Sequence, residues 1–220
     1  MPVEVYTAHF MHDVLYLHGF GETNPECCPI VHALRIALPG SQVLSPCYHP
    51  GGRIAATRVV EAIKNFTRII NLSTSGKVHV VGYSFGGLLA GILAESQPDI
   101  IANMLLLAPA IDNFSRNYEG HDPPRWQMPR DYVEELKSYP ARPRIVRPTT
   151  LVHGWLDDDN GGSAPWRIQE WAAEQPFRNV FMLSGVGHSL EPWLSAASWK
   201  NDGSDNIPTF HQIVTELVST

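Results

Sequence analysis

At 220 residues, the chain is long for one minimal domain and short for two large ones. Hydrophobic residues make up 44% and charged residues 17%, which supplies a substantial core and argues against a wholly disordered chain. A net charge of -6, a pI near 5.9 and the lack of any basic run argue against a nucleic-acid partner.

Residues 1–6 carry neither a basic start nor a long apolar run, so no signal peptide is expected. Residues 14–17 (VLYL) form the first strand-like run. Cys27, Cys28 and Cys47 fit neither a disulfide framework nor a paired zinc pattern, so no metal is expected and the thiols read as buried or idle. Further strand-like runs follow at 43–44, 78–81, 104–107, 149–152 and 180–183. Most are continuous rather than alternating, as for parallel strands covered on both faces.

Helical stripes lie between the runs. Val59, Ile63, Phe66 and Ile70 share one face of a helix that stops at residues 71–76. Leu88, Leu89, Ile92 and Leu93 mark a second, and Ile168, Trp171 and Ala172 a third that ends near Pro176. Phe210, Ile213, Val214 and Leu217 mark a C-terminal one. The strongest apolar stretch, around residues 104–111, is far too short to span a bilayer. The chain is therefore expected to be an α/β protein, one domain over 1–220 with a doubly wound, mostly parallel sheet, cytoplasmic and without a membrane partner.

Residues 112–148 break the alternation with six prolines and with Tyr118, Trp126, Tyr132 and Tyr139; 131–137 fits a short helix. The segment is either a long surface excursion or a small cap or lid over a pocket. As part of a pocket it would bring Trp126 and Tyr132 to the substrate.

Gly82-Tyr83-Ser84-Phe85-Gly86 follows one buried run and precedes an apolar helix. A serine on a sharp strand-to-helix turn takes unfavourable backbone angles, and its neighbours two residues away come into close contact. Glycines at 82 and 86 let that turn close. The helix then aims its N-H groups and positive dipole end at the reaction centre. Ser84 thus reads as a nucleophile rather than as an ordinary turn residue. His18-Gly19-Phe20-Gly21 ends the first strand in the same way. An acyl-transfer site needs two N-H donors for the developing oxyanion, and the Phe20 and Phe85 amides can supply them, with Gly19 letting the backbone approach the substrate. A simple strand-ending turn would account for residues 18–21 equally well were Ser84 absent. His188, in the glycine-flanked loop after the last strand-like run, is the candidate base. His211 belongs to the C-terminal helical pattern, His121 to the excursion and His153 to a strand end.

Together these motifs resemble the α/β-hydrolase superfamily, as a small member of the serine esterase and lipase kind, over residues 14–218. The resemblance rests on residues 18–21, on the elbow at 82–86, on His153-Gly154-Trp155-Leu156-Asp157 and on Gly187-His188, in the order nucleophile, acid, histidine. It implies a Ser84, Asp157, His188 triad, because in similar sequences the acid lies three residues after the strand-ending glycine. Asp158 is the alternative acid, and Asp158, Asp159 and Asn160 also read as turn formers. Two departures stand out. About a dozen residues precede the first strand, so the opening antiparallel strands should be reduced or absent. Residues 161–165 (GGSAP) replace the more usual valine-proline helix start. The resemblance further implies hydrolysis of a small-molecule carboxylic ester with small to medium acyl chains and no cofactor, in a pocket walled by Phe20, Tyr83 and Phe85. Thioesterase, acyltransferase and perhydrolase chemistry use the same triad, and a ligand-binding homologue without activity is the remaining alternative.

Overall fold

The computed structural model describes residues 12–20, 22, 24–48, 58–72, 76–111, 130–157, 163–200 and 206–219. Six strands form one sheet: β1 (Asp13–Leu17), β2 (Gln42–Leu44), β3 (Val78–Tyr83), β4 (Ile101–Leu107), β5 (Thr149–Gly154) and β6 (Asn179–Leu183). Their spatial order is β2-β1-β3-β4-β5-β6, and every neighbouring pair is parallel. Each strand covers one of the apolar runs in the sequence. A separate two-stranded antiparallel ribbon joins β7 (Trp199–Lys200) to β8 (Asn206–Ile207). Residues 1–11, where the opening antiparallel strands were expected to be reduced, lie outside the described part.

The helices are α1 (Pro29–Ala37), α2 (Val59–Asn71), α3 (Phe85–Ser96), α4 (Arg130–Lys137), α5 (Pro165–Glu174), α6 (Glu191–Leu194) and α7 (Phe210–Val218). Strand side chains alternate between the two sheet faces and so sort the helices into two layers. Leu15 and Leu17 of β1 and Met104 and Leu106 of β4 pack with α2, α3, α4 and α5. Val14 and Tyr16, with Leu105 and Leu107, pack with α1 and α7. The sheet is therefore buried on both sides, which is why its strands read as continuous apolar runs. Helix α3 was expected to be striped, yet it is buried all round from Phe85 to Ala94. It lies between α2 and strands β1, β3 and β4.

The connections place the site. The chain runs outward from β1 through α1 to β2, then returns by α2 to β3 on the other side of β1 and continues the opposite way. A crevice opens outside the carboxyl ends of strands at such a reversal, here between β1 and β3. Residues 18–20 and Ser84 leave those two strand ends.

Of the 112–148 segment, residues 112–129 lie outside the described part, with Tyr118, His121 and Trp126 among them. Helix α4 is fixed to α2 by one carboxylate. Glu135 accepts the backbone N-H groups of Val59 at 3.2 Å and Val60 at 2.9 Å, and Arg58 Nε donates to it at 3.2 Å. Tyr132 and Leu136 are buried on the same side of the sheet. Among the described residues, no helix is long and apolar enough to cross a membrane.

Candidate active site

Ser84 sits at the N-cap of α3 with φ 54° and ψ -120°, a backbone conformation that a residue with a side chain rarely adopts. Its backbone is held in place: Ser84 N-H donates to Leu107 O, and Ser84 O accepts the N-H groups of Gly87 and Ala110, each at 2.9 Å. The two flanking glycines are required by space. A β-carbon at Gly82 would lie 2.6 Å from Gly86 O, and one at Gly86 would lie 2.0 Å from Leu17 O. The turn expected from the sequence is thus present, and its strain is local to the serine.

His188 and Asp157 meet this serine from two other strand ends. His188 Nε2 lies 2.9 Å from Ser84 Oγ, and His188 Nδ1 lies 2.8 Å from Asp157 Oδ2. A carboxylate can only accept, so Nδ1 carries the proton and the Nε2 lone pair faces the serine hydroxyl. Asp157 is buried, while the His188 side chain keeps 22% of its surface exposed, open to a reactant on one side. The acid turn and the histidine loop are stitched together by backbone bonds from Trp155 N-H to Leu183 O and from Leu156 N-H to Val186 O. A β-carbon at Gly154 would fall 2.2 Å from Val186 O, so only glycine allows this approach. Asp158 and Asp159 lie outside the described residues.

The loop after β1 leans on the serine from the other side. A β-carbon at Gly19 would sit 3.2 Å from Ser84 Cβ, and the Phe20 and Phe85 rings stack at 4.1 Å. His18, in the same loop, is buried; its ring stacks on Tyr48 at 3.8 Å. Its Nδ1 donates to Gly19 O at 2.8 Å while Nε2 accepts the Tyr48 N-H at 3.3 Å, and the Tyr48 hydroxyl donates to His18 O. Burial lowers the His18 pKa to about 4, so the ring is neutral and this pattern of one donor and one acceptor is the one it can make.

The sequence model of the alpha/beta hydrolase fold family matches residues 14–137, more than half of the chain. The chain belongs to the alpha/beta hydrolase fold family. Lipase LipV of Mycobacterium tuberculosis is 35% identical to this alpha/beta hydrolase over 101 residues, a match that spans 44% of this chain and 37% of that protein. The monoacylglycerol lipase of Paleococcus ferrophilus superposes with a TM-score of 0.65 at 21% identity, covering 94% of each chain. Est1E of Butyrivibrio proteoclasticus, in a structure with ferulic acid bound, superposes with a TM-score of 0.66 at 18% identity, covering 94% of this chain and 86% of that one. At these identities the solved structures show the shared fold.

The other residues singled out in the sequence of this alpha/beta hydrolase fall into three groups. Tyr83 is close to the histidine: its hydroxyl donates to His188 O at 3.3 Å and its ring lies 5.3 Å from the imidazole. Burial, and next the Asp157 carboxylate, pushes the Tyr83 phenol up, so it stays a neutral donor. Tyr132 is buried, its ring 6.5 Å from that of Phe85. Trp126 lies outside the described residues. Cys28 is buried and Cys27 and Cys47 are exposed, and none of the three is in a disulfide among the described residues.

Two residues near the site, Tyr48 and Glu22, have no counterpart in the sequence reading, and a third, His153, was read there only as a strand end and as part of the acid-bearing motif. Tyr48 braces His18 from 30 residues away. Glu22 accepts from the Tyr16 hydroxyl at 3.4 Å, beside the buried Cys28 thiol, and burial pushes its carboxyl up. His153 is buried with its Nε2 3.6 Å from Asp157 Oδ2. Of the three, only His153 carried a signal, as a histidine near a strand end.

Proposed function

We propose that this chain is a serine hydrolase that cleaves carboxylic esters with small to medium acyl chains through an acyl-serine intermediate. Ser84 is the nucleophile, His188 the general base and acid, and Asp157 the residue that orients His188. The observation that carries this reading is the hydrogen-bonded line Ser84 Oγ, His188 Nε2, His188 Nδ1, Asp157 Oδ2, ending on a serine at φ 54°. A hydroxyl with a lone pair of a neutral imidazole 2.9 Å away is set to lose its proton as it attacks.

In the forward half-reaction, Ser84 Oγ bonds to the acyl carbon while its proton passes to His188 Nε2. The carbonyl oxygen gains the charge, and the Phe20 and Phe85 amides are the donors assigned to it. Asp157 stabilises the imidazolium without taking its proton. The carbon-oxygen bond to the alcohol then breaks, and His188 Nε2 returns the proton to that oxygen. Water repeats the sequence on the acyl-serine and releases the acid. No cofactor is needed for any step. Gly19, Tyr83, Trp126 and Tyr132 are assigned to substrate binding, and the stacked Phe20 and Phe85 favour an uncharged acyl group. The names of Lipase LipV and of the monoacylglycerol lipase support ester chemistry.

The test is a series of p-nitrophenyl esters of graded chain length, run beside acyl-CoA substrates. Turnover of short and medium esters, with acyl-CoA slower, is the expected result. Preference for acyl-CoA would move the reading to a thioesterase. Binding without turnover of either class would mean a ligand-binding homologue.

A further inference from the structure

His153 has no role in the reaction just described, yet it occupies an unusual position for an imidazole. It is the penultimate residue of β5 and is fully buried. The Ser163 backbone favours its proton, but neither ring nitrogen has a regular hydrogen-bond partner among the described residues. A buried polar group left in that state is unfavourable, and a leucine or phenylalanine would fill the space without the penalty. What the ring does face is the acid. Nε2 lies 3.6 Å from Asp157 Oδ2, the same oxygen that His188 Nδ1 approaches at 2.8 Å. The other oxygen, Oδ1, is buried with no partner among the described residues.

We propose that His153 is a positioning residue for Asp157, its neutral imidazole holding the carboxylate so that Oδ2 stays aimed at His188. The inference rests on the triad reading above. A carboxylate can turn about its Cβ-Cγ bond, and a second N-H directed at Oδ2 restricts that turn. At 3.6 Å the contact is too long for a hydrogen bond, so it acts through the dipole of the N-H in a dry site, where such forces are weakly screened. Asp157 can only accept, so the tautomer that favours its charge is the one with the His153 proton on Nε2. Neutrality matters too. Burial lowers the His153 pKa to about 4, so the ring does not form a full ion pair that would draw Oδ2 away from His188. The two imidazoles then face the same oxygen, His188 Nδ1 at 2.8 Å and His153 Nε2 at 3.6 Å. An error of a fraction of an ångström in the acid would reach the serine through His188.

Two substitutions separate positioning from packing. His153→Phe keeps the volume and removes the N-H, and His153→Gln keeps an N-H near the Nε2 position. Each is measured for kcat and KM on the best ester of the graded series, for melting temperature, and by proton NMR for the low-field signal of the His188 N-H on Asp157. That signal is assigned by its loss in Asp157→Asn. The phenylalanine variant should stay folded, lose about ten- to a hundredfold in kcat with KM nearly unchanged, and lose or shift the signal. The glutamine variant should recover most of both. Wild-type kcat and an unmoved signal in a folded His153→Phe would overturn the proposal. So would equal losses in both variants that follow their melting temperatures. The NMR signal needs no substrate, so the two readings fail separately. An active Ser84→Ala with a shifted signal in His153→Phe would overturn the ester mechanism alone.

Discussion

His188 Nε2 lies 2.9 Å from Ser84 Oγ although 104 residues separate the two in the chain. Neither residue is held by the other. Ser84 is fixed through its backbone to the end of β4, and His188 through a loop stitched to the acid turn after β5. The placement of each residue is therefore a property of the sheet edge and should survive removal of the other's side chain.

It follows that Ser84→Ala should fold like the parent. Its ester hydrolysis should fall by about four to six orders of magnitude, as when a triad nucleophile is deleted elsewhere. A fluorophosphonate probe should label the parent at Ser84 and leave the alanine variant unlabelled. An alanine variant with a tenth of the parent rate would remove Ser84 from the chemistry.

The acid is testable in the same way. Asp157→Asn preserves shape but offers His188 Nδ1 an amide that can also donate, which favours the wrong tautomer. The expected loss is several orders of magnitude in kcat, while Asp158→Asn and Asp159→Asn stay within about tenfold.

The sheet and the serine were legible in the sequence for physical reasons. Strands buried on both faces need apolar residues at every position, so β1, β3 and β4 appear as continuous runs. Gly82 and Gly86 are dictated by backbone contacts within one turn, so the serine between them was readable locally. Helix α1 was missed although Ile30, Val31, Leu34 and Ala37 form a proper buried stripe, because it is only nine residues long and begins among Pro25, Cys27, Cys28 and Pro29. Tyr48 and Glu22, and the contact of His153 with Asp157, were illegible for another reason. Each involves a contact that the chain makes only after the strands are assembled, and no local pattern encodes it. Asp157 is an intermediate case. Three adjacent aspartates are chemically alike, and only the count from Gly154 singled out the one beside His188.

Glu135 gives a prediction about stability. Its carboxylate accepts two N-H groups from the first turn of α2, with its side chain only 6% exposed. Those N-H groups have no partner within their own helix, and the charge also meets the positive end of the helix dipole. Glu135→Ala should destabilise the fold by ~1–2 kcal/mol, or about 2–4 °C in Tm per kcal/mol at this chain length. Arg58, whose side chain is 58% exposed, should matter far less when replaced. A melting temperature unchanged by Glu135→Ala would mean that α4 is held by its apolar side alone.

The last prediction concerns acid. Burial lowers the pKa of His18, His79 and His153 from 6.5 to about 4 in each case. His79 faces His12, which lowers it further, and Asn103, whose amide nitrogen lies 3.5 Å from its Nδ1. All three rings are neutral in the folded chain near neutral pH. Between about pH 6.5 and 4 the unfolded chain binds protons at these positions and the folded chain does not. The unfolded state then holds more protons, so stability rises with pH across that window and is lost as pH falls through it. Each residue contributes on the order of 3 kcal/mol to the full loss, a large share of what a domain has. Urea unfolding measured as a function of pH reads the slope directly. His79→Leu, remote from the serine, should reduce proton uptake on unfolding by about one in the middle of the window while leaving ester turnover unchanged. The same slope in the parent and in His79→Leu would mean that His79 is already protonated in the fold, and that its neighbours do not exclude charge.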